Sequence, residues 1–131
     1  MNKPNNPPIL IPANEAGEIL IQGGIVAYPT ESSYGLGCDA FNREAVHKIA
    51  KLKKRDPNKT FLMLIANYQQ AQHLIANDSL HLLEKAKEYW PGPYTLLFPA
   101  ADTCPEWLQH KGKIALRISN NRIASTLCNT I

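Results

Sequence analysis

The segment Lys53-Lys54-Arg55-Asp56-Pro57-Asn58-Lys59 puts an ammonium and a guanidinium two residues apart, so that in an extended or turning chain both point the same way. Lys53 as a point charge and Arg55 as a planar fork can hold a triphosphate from two directions. Groups so placed stabilise charge that builds on a phosphoryl centre during displacement. Spacing alone leaves a second reading open, a solvated basic loop after a helix C-terminus, where cations are favoured in any case.

The run YPTESSYGLG, residues 28–37, is the other concentration of polar chemistry. Thr30, Ser32, Ser33 and Tyr34 offer hydroxyls where an apolar strand ends, and open α/β sheets bind ligands at such ends. Gly35 and Gly37 allow close backbone approach or positive φ. On the alternative reading the hydroxyls satisfy backbone groups of a tight turn while Tyr34 packs in the core. Neither GxxxxGK[ST] nor GxGxxG occurs. Arg117 interrupts the apolar strand Ile114 to Ile118, where a charge must either face solvent or meet an anion, such as a ligand carboxylate or phosphate. The scattered histidines and the three cysteines show neither metal-ligand nor nucleophile spacing, so no metal held by protein ligands is expected.

The elements that must position these residues follow from periodicity and breakers. Residues 1–12 read as an extended arm, with the folded domain running from 13 to 131. Asn14 is read as the N-cap of a first helix stopped by Gly23-Gly24, followed by a strand from Ile25 to Tyr28. Asn42 is expected to cap a helix to about Leu52. Phe61 to Ala66 is a continuous apolar run, which fits a strand covered on both faces. Asn67 caps a short helix, and 79–89 reads as a longer one ended by Trp90-Pro91-Gly92-Pro93, a rigid turn with an aromatic lid on the core. Strands are expected at 94–98 and 113–118, then a last helix from Ile123. The class is therefore α/β with a mixed, twisted sheet. The pattern stops at Thr130-Ile131 without a capping signal, which reads as a chain cut short.

At 131 residues and 44% apolar content the chain can bury one core. The odd cysteine count argues against a disulfide scaffold and for a reduced, cytoplasmic setting. The N-terminus is polar and proline-rich, unlike a signal peptide, and no run approaches a membrane span, so a soluble protein is expected. Six cationic side chains lie between Lys48 and Lys59 against one acid, and Lys111, Lys113, Arg117 and Arg122 form a second basic group. If the two groups meet, they suit a polyanion such as a nucleotide or RNA.

Four motifs in order, YPTESSYGLGCDA, LKKRDPNKTFLMLIAN, WPGPYTLLFPA and IALRIS, resemble the YrdC family of threonylcarbamoyl-AMP synthases, most closely its short bacterial TsaC-like form. The resemblance implies an α/β sheet bent around a large, positively charged groove. It also implies synthesis of threonylcarbamoyl-AMP and pyrophosphate from L-threonine, bicarbonate and ATP, for the N6-threonylcarbamoyl modification of a tRNA adenosine. By that resemblance Lys53 and Arg55 match the family's KxR motif and, with Lys59, its nucleotide site. Thr30, Ser32 and Tyr34 match its threonine loop, with Ser32 in place of a second threonine, and Arg117 would take the threonine carboxylate. Mg2+ would be held mostly by the phosphates and water, and the product would reach tRNA directly or through threonylcarbamoyl transferase proteins. Leu64 stands where some longer members carry histidine. Ser119-Asn120-Asn121 is not the family's SxN motif, which is expected beyond Ile131. Two rival readings follow: an RNA-binding module using the same groove, and an inactive truncated paralogue.

Overall fold

A computed structural model describes residues 11–30, 34–54 and 61–130. The expected arm at 1–12 falls almost wholly outside them, as do Ser32, Ser33, Arg55 and Lys59. Helix α1 (Ala13–Ile21) starts from Pro12, whose side chain makes no cap, so Asn14 lies inside the helix rather than at its boundary. Proline fixes an extended residue ahead of the first turn without needing an N–H partner there. The helix ends where Gly23, at φ 89°, and Gly24 donate back to the carbonyls of Leu20 and Ile19, at 3.0 and 2.8 Å. That pair of bonds satisfies two carbonyls left open by the last turn.

Strands β1 (Val26–Pro29) and β2 (Tyr34–Gly37) pair antiparallel, with Tyr28 opposite Gly35 and Val26 opposite Gly37. The expectation of one hydroxyl loop to Gly37 is corrected here, because YGLG is a strand. Helix α2 (Arg43–Leu52) is capped as expected, the Asn42 side chain accepting from the Ala45 N–H at 3.1 Å. Its Ala45 and Ile49 are buried.

The larger sheet is centred on β6 (Lys113–Ile118), which pairs parallel with β3 (Met63–Ile65) and antiparallel with β4 (Leu96–Pro99) and β5 (Gln109–His110). Leu116 faces Leu96 on one edge and Met63 on the other, so β5 and β3 share the second edge in succession. The expected mixed sheet is present, with one short strand, β5, that periodicity could not register. Ile114, Leu116 and Ile118 point into the main core with Ile65, Ile75, Phe98 and Trp90. Trp90 packs on Tyr68 and Phe98 at centroid distances of 6.2 and 5.7 Å, and its Nε1 donates to the Tyr94 carbonyl at 2.9 Å. The Gly92 N–H donates to the Ile118 carbonyl at 3.0 Å, which ties the turn at 90–93 to the end of β6.

Asn67 caps helix α3 (Tyr68–Gln72) by accepting from the Gln70 N–H at 3.0 Å. The long helix expected at 79–89 is instead a 3-10 turn at Asn77–Ser79 and a short helix α4 (Leu82–Ala86). N–H groups on both sides of α4 reach back three residues, as Leu83 does to Leu80 and Tyr89 to Ala86, so the coil tightens at both ends. The last helix, α5 (Arg122–Thr130), is capped by Asn121, whose Oδ1 accepts from Ile123 and Ala124. Ser119-Asn120-Asn121 is therefore a helix start, with the Ser119 Oγ accepting from the Asn121 N–H at 3.0 Å. Helices α1 and α5 touch closely: a Cβ on Gly17 would stand 2.7 Å from the Thr130 side chain. Ala16, Leu20 and Leu127 form a second apolar cluster against Val26 and Tyr28 of β1.

Candidate active site

Alternation along β6 decides where its charge goes. Ile114, Leu116 and Ile118 take the core face, so Ala115 and Arg117 take the other, in register with Leu97 of β4 and Leu64 of β3. That second face lines a cavity of about 990 Å³, whose walls draw on both apolar clusters. Arg117 is half-buried there, and its Nη1 donates to the Pro93 carbonyl at 3.5 Å. The strand charge that had to face solvent or an anion therefore faces the cavity.

Four of the residues expected to bind line this one space: Thr30 after β1, Tyr34 on β2, Lys53 at the C-cap of α2 and Arg117 on β6. They come from four separate stretches of chain. Tyr34 is 77% exposed, which overturns the alternative that it packs in the core. Lys53 is exposed, and its Nζ stands 5.5 Å from the centroid of the Phe61 ring, a cation–π distance. Ser32, Arg55 and Lys59 lie outside the described residues.

Among the described residues the lining does not show the broadly basic groove that was expected. Among the described residues its charged side chains are Lys53, Arg117 and Asp39, with His73 nearby and aliphatic and aromatic groups in the majority. Lys48, Lys51 and Lys54 do not line it, nor do Lys111, Lys113 and Arg122. Among the described residues, Lys53 and Arg117 are the members of the two basic segments that reach the cavity. No group of three or more His, Cys, Asp or Glu that could hold a metal occurs among the described residues.

Sequence reasoning passed over Tyr28. The signal was its place two residues after Val26, on the inward face of β1. Gly35 and Gly37 are not in left-handed conformations; they give close approach instead. A Cβ at Gly37 would be driven into the Tyr28 ring, and one at Gly35 would stand 3.8 Å from its far end. Gly37→Ala is accordingly expected to cost about 1–3 kcal/mol of stability through overpacking, read as a lower denaturant midpoint with an unchanged slope.

Cys38 and Cys128 also line the cavity. Burial pushes both thiols up to about 11, with Asp39 adding to the effect at Cys38. Each stays protonated near neutrality and is a poor nucleophile. Alkylation at pH 7.5 is expected to run on the order of 100-fold slower than for a free thiol. The folded-state values are raised, so the thiols' stabilising contribution is complete below about pH 9 and lost as pH climbs towards 11. The Tyr28 phenol, raised by burial, acts in the same direction. Melting temperature should therefore fall across that window, and fall less in a Cys38→Ala, Cys128→Ala double variant.

Trp107 and Leu108 also line the cavity. Trp107 Nε1 donates to the Ala40 carbonyl at 2.7 Å, fastening the turn at 106–108 to the chain leaving β2. Gln70 joins β3 and α5, its side chain accepting from the Ala66 N–H at 2.6 Å and donating to the Cys128 carbonyl at 3.0 Å.

The domain is thus α/β with a partly open, largely apolar cavity, lined among the described residues by hydroxyls and by the cations Lys53 and Arg117, as small-molecule sites commonly are. The chain belongs to the Sua5/YciO/YrdC family, whose model, described as "Telomere recombination", matches residues 18–131. It is 40% identical over 117 residues to the threonylcarbamoyl-AMP synthase of Coxiella burnetii, covering 88% of this chain and 62% of that protein. With the protein of the same name from Baumannia cicadellinicola it shares 42% over 114 residues, covering 85% of this chain and 58% of the relative. This chain thus spans about three-fifths of the length of these relatives. Among solved structures, P. abyssi Sua5 complexed with L-threonine superposes with a TM-score of 0.82 at 30% identity, over 90% of this chain and 35% of that one. E. coli YciO gives 0.74 at 28% identity, over 90% of this chain and 58% of its own. No helix among the described residues is long and apolar enough to cross a membrane.

Proposed function

We propose that this chain carries the substrate cavity of an L-threonylcarbamoyladenylate synthase, a nucleotidyltransferase acting on L-threonine, bicarbonate and ATP. The observation that carries the reading is the convergence of Thr30, Tyr34, Lys53 and Arg117 on one cavity of about 990 Å³. The relatives' shared name and the L-threonine in the P. abyssi Sua5 complex support it.

In the reaction, carbon dioxide from bicarbonate adds to the threonine amine, and the resulting carboxylate attacks the α-phosphorus of ATP as pyrophosphate leaves. Arg117 pairs with the threonine carboxylate, and the hydroxyls of Thr30, Ser32 and Tyr34 orient the amino acid. Lys53 neutralises charge developing on the phosphates, with Arg55 and Lys59 assigned to the same task from their motif. Alignment of two anionic reactants accounts for much of the rate, because no covalent enzyme intermediate is required. Mg2+ would arrive with ATP on phosphate oxygens and water. Asp39 is the one carboxylate on the cavity wall among the described residues. The product is destined for tRNA modification, passed on directly or through threonylcarbamoyl transferase proteins.

Among the described residues the lining is mostly apolar, with Lys53 and Arg117 as its cations. This favours a small nucleotide and an amino acid over the phosphate backbone of RNA, which calls for many cations at once. Calorimetric titration of the chain with ATP and with L-threonine should give one saturable site for each. Binding of tRNA without binding of either small molecule would contradict the reading.

A further inference from the structure

The reading above gives Tyr28 no task, yet its seat is specific. Gly37 and Gly35, at alternate positions of β2, leave room for the ring along its length, from Cε1 over Gly37 to the hydroxyl end near Gly35. Val26 and Tyr28 pack on Ala16, Leu20 and Leu127, which anchors the near side of the ring. The half-buried side chain opens onto the same cavity as Arg117. Phenylalanine would fill this slot equally well, so packing does not account for the hydroxyl. Burial and Cys128 push the phenol's pKa up, partly offset by the positive charge of Arg117. The hydroxyl is thus a neutral donor at physiological pH, and it lies within the field of the guanidinium.

We infer that Tyr28 donates its phenolic hydrogen to the carboxylate that Arg117 holds, so that the hairpin and β6 grip one anionic group between them. This rests on the threonine reading of the cavity and adds a binding residue to it. A guanidinium supplies charge and an in-plane fork, and a neutral donor takes one of the lone pairs that the fork leaves open.

The test compares L-threonine with L-threoninamide, which lacks the carboxylate, on wild-type chain and Tyr28→Phe, by calorimetry. Wild type should prefer threonine. In Tyr28→Phe that preference should shrink roughly tenfold, the effect of losing one hydrogen bond to a charged group, with ATP affinity and melting temperature unchanged. Equal weakening of both ligands, or no change, would overturn the inference while leaving the threonine site intact. Failure of wild-type chain to bind L-threonine while binding ATP would overturn the threonine reading and this inference together.

Discussion

Arg117→Ala is expected to weaken L-threonine binding roughly 10- to 100-fold, the loss of a charge-assisted pair with a carboxylate. The side chain stems from the sheet face that also carries Ala115, so alanine fits there without displacing a core residue. Its Nη1 bond to the Pro93 carbonyl is long, at 3.5 Å, and contributes little to the fold. Melting temperature is the control that the variant remains folded. Arg117→Lys keeps the charge and loses the fork, and should recover only part of the affinity. Calorimetry with threonine, beside thermal denaturation, reads both quantities. Unchanged threonine affinity in Arg117→Ala would remove this residue from the site.

The largest effect on stability is expected one residue away. Leu116 is fully buried and pairs with Leu96 and Met63 on either side of the central strand. Leu116→Ala removes a methylene-rich side chain where flanking strands cannot close the gap, at a cost of about 2–5 kcal/mol. For a domain of this size that corresponds to a fall in Tm of roughly 10 °C. Threonine binding, measured well below the transition, should survive, because the side chain points away from the cavity. Adjacent residues of one strand thus separate fold from function, as the two-residue period of a sheet requires.

That same period explains what could be read in advance. The strand at 113–118, the Asn42 and Asn67 caps and the glycine stop at 23–24 are local devices. Each depends on side chains a few residues apart, so sequence carries it. The strand at 34–37 was missed because glycine ordinarily weakens strands, and its reason lies across the hairpin in the Tyr28 ring. The helix at 79–89 had the right spacing of Leu80, Leu83 and Ala86 or Lys87 but winds tightly at its ends, a matter of tertiary packing that periodicity does not encode. For the candidate site, Thr30, Tyr34, Lys53 and Arg117 were recognisable by type and motif. Their convergence depends on tertiary contacts such as the parallel pairing of β3 with β6. The wall at 103–108, including Trp107, carried no motif at all. Composition could not say which charges reach the cavity: among the described residues of the two basic segments, Lys53 and Arg117 do.

The account's central claim is that this cavity joins threonine, bicarbonate and ATP. Its most direct test is pyrophosphate release from ATP by the 131-residue chain, with L-threonine and bicarbonate added singly and together. The account predicts release that needs both co-substrates and is lost in a Lys53→Ala, Arg55→Ala variant that still folds. Release indifferent to threonine, or none from a folded chain that binds both ATP and threonine, would contradict it.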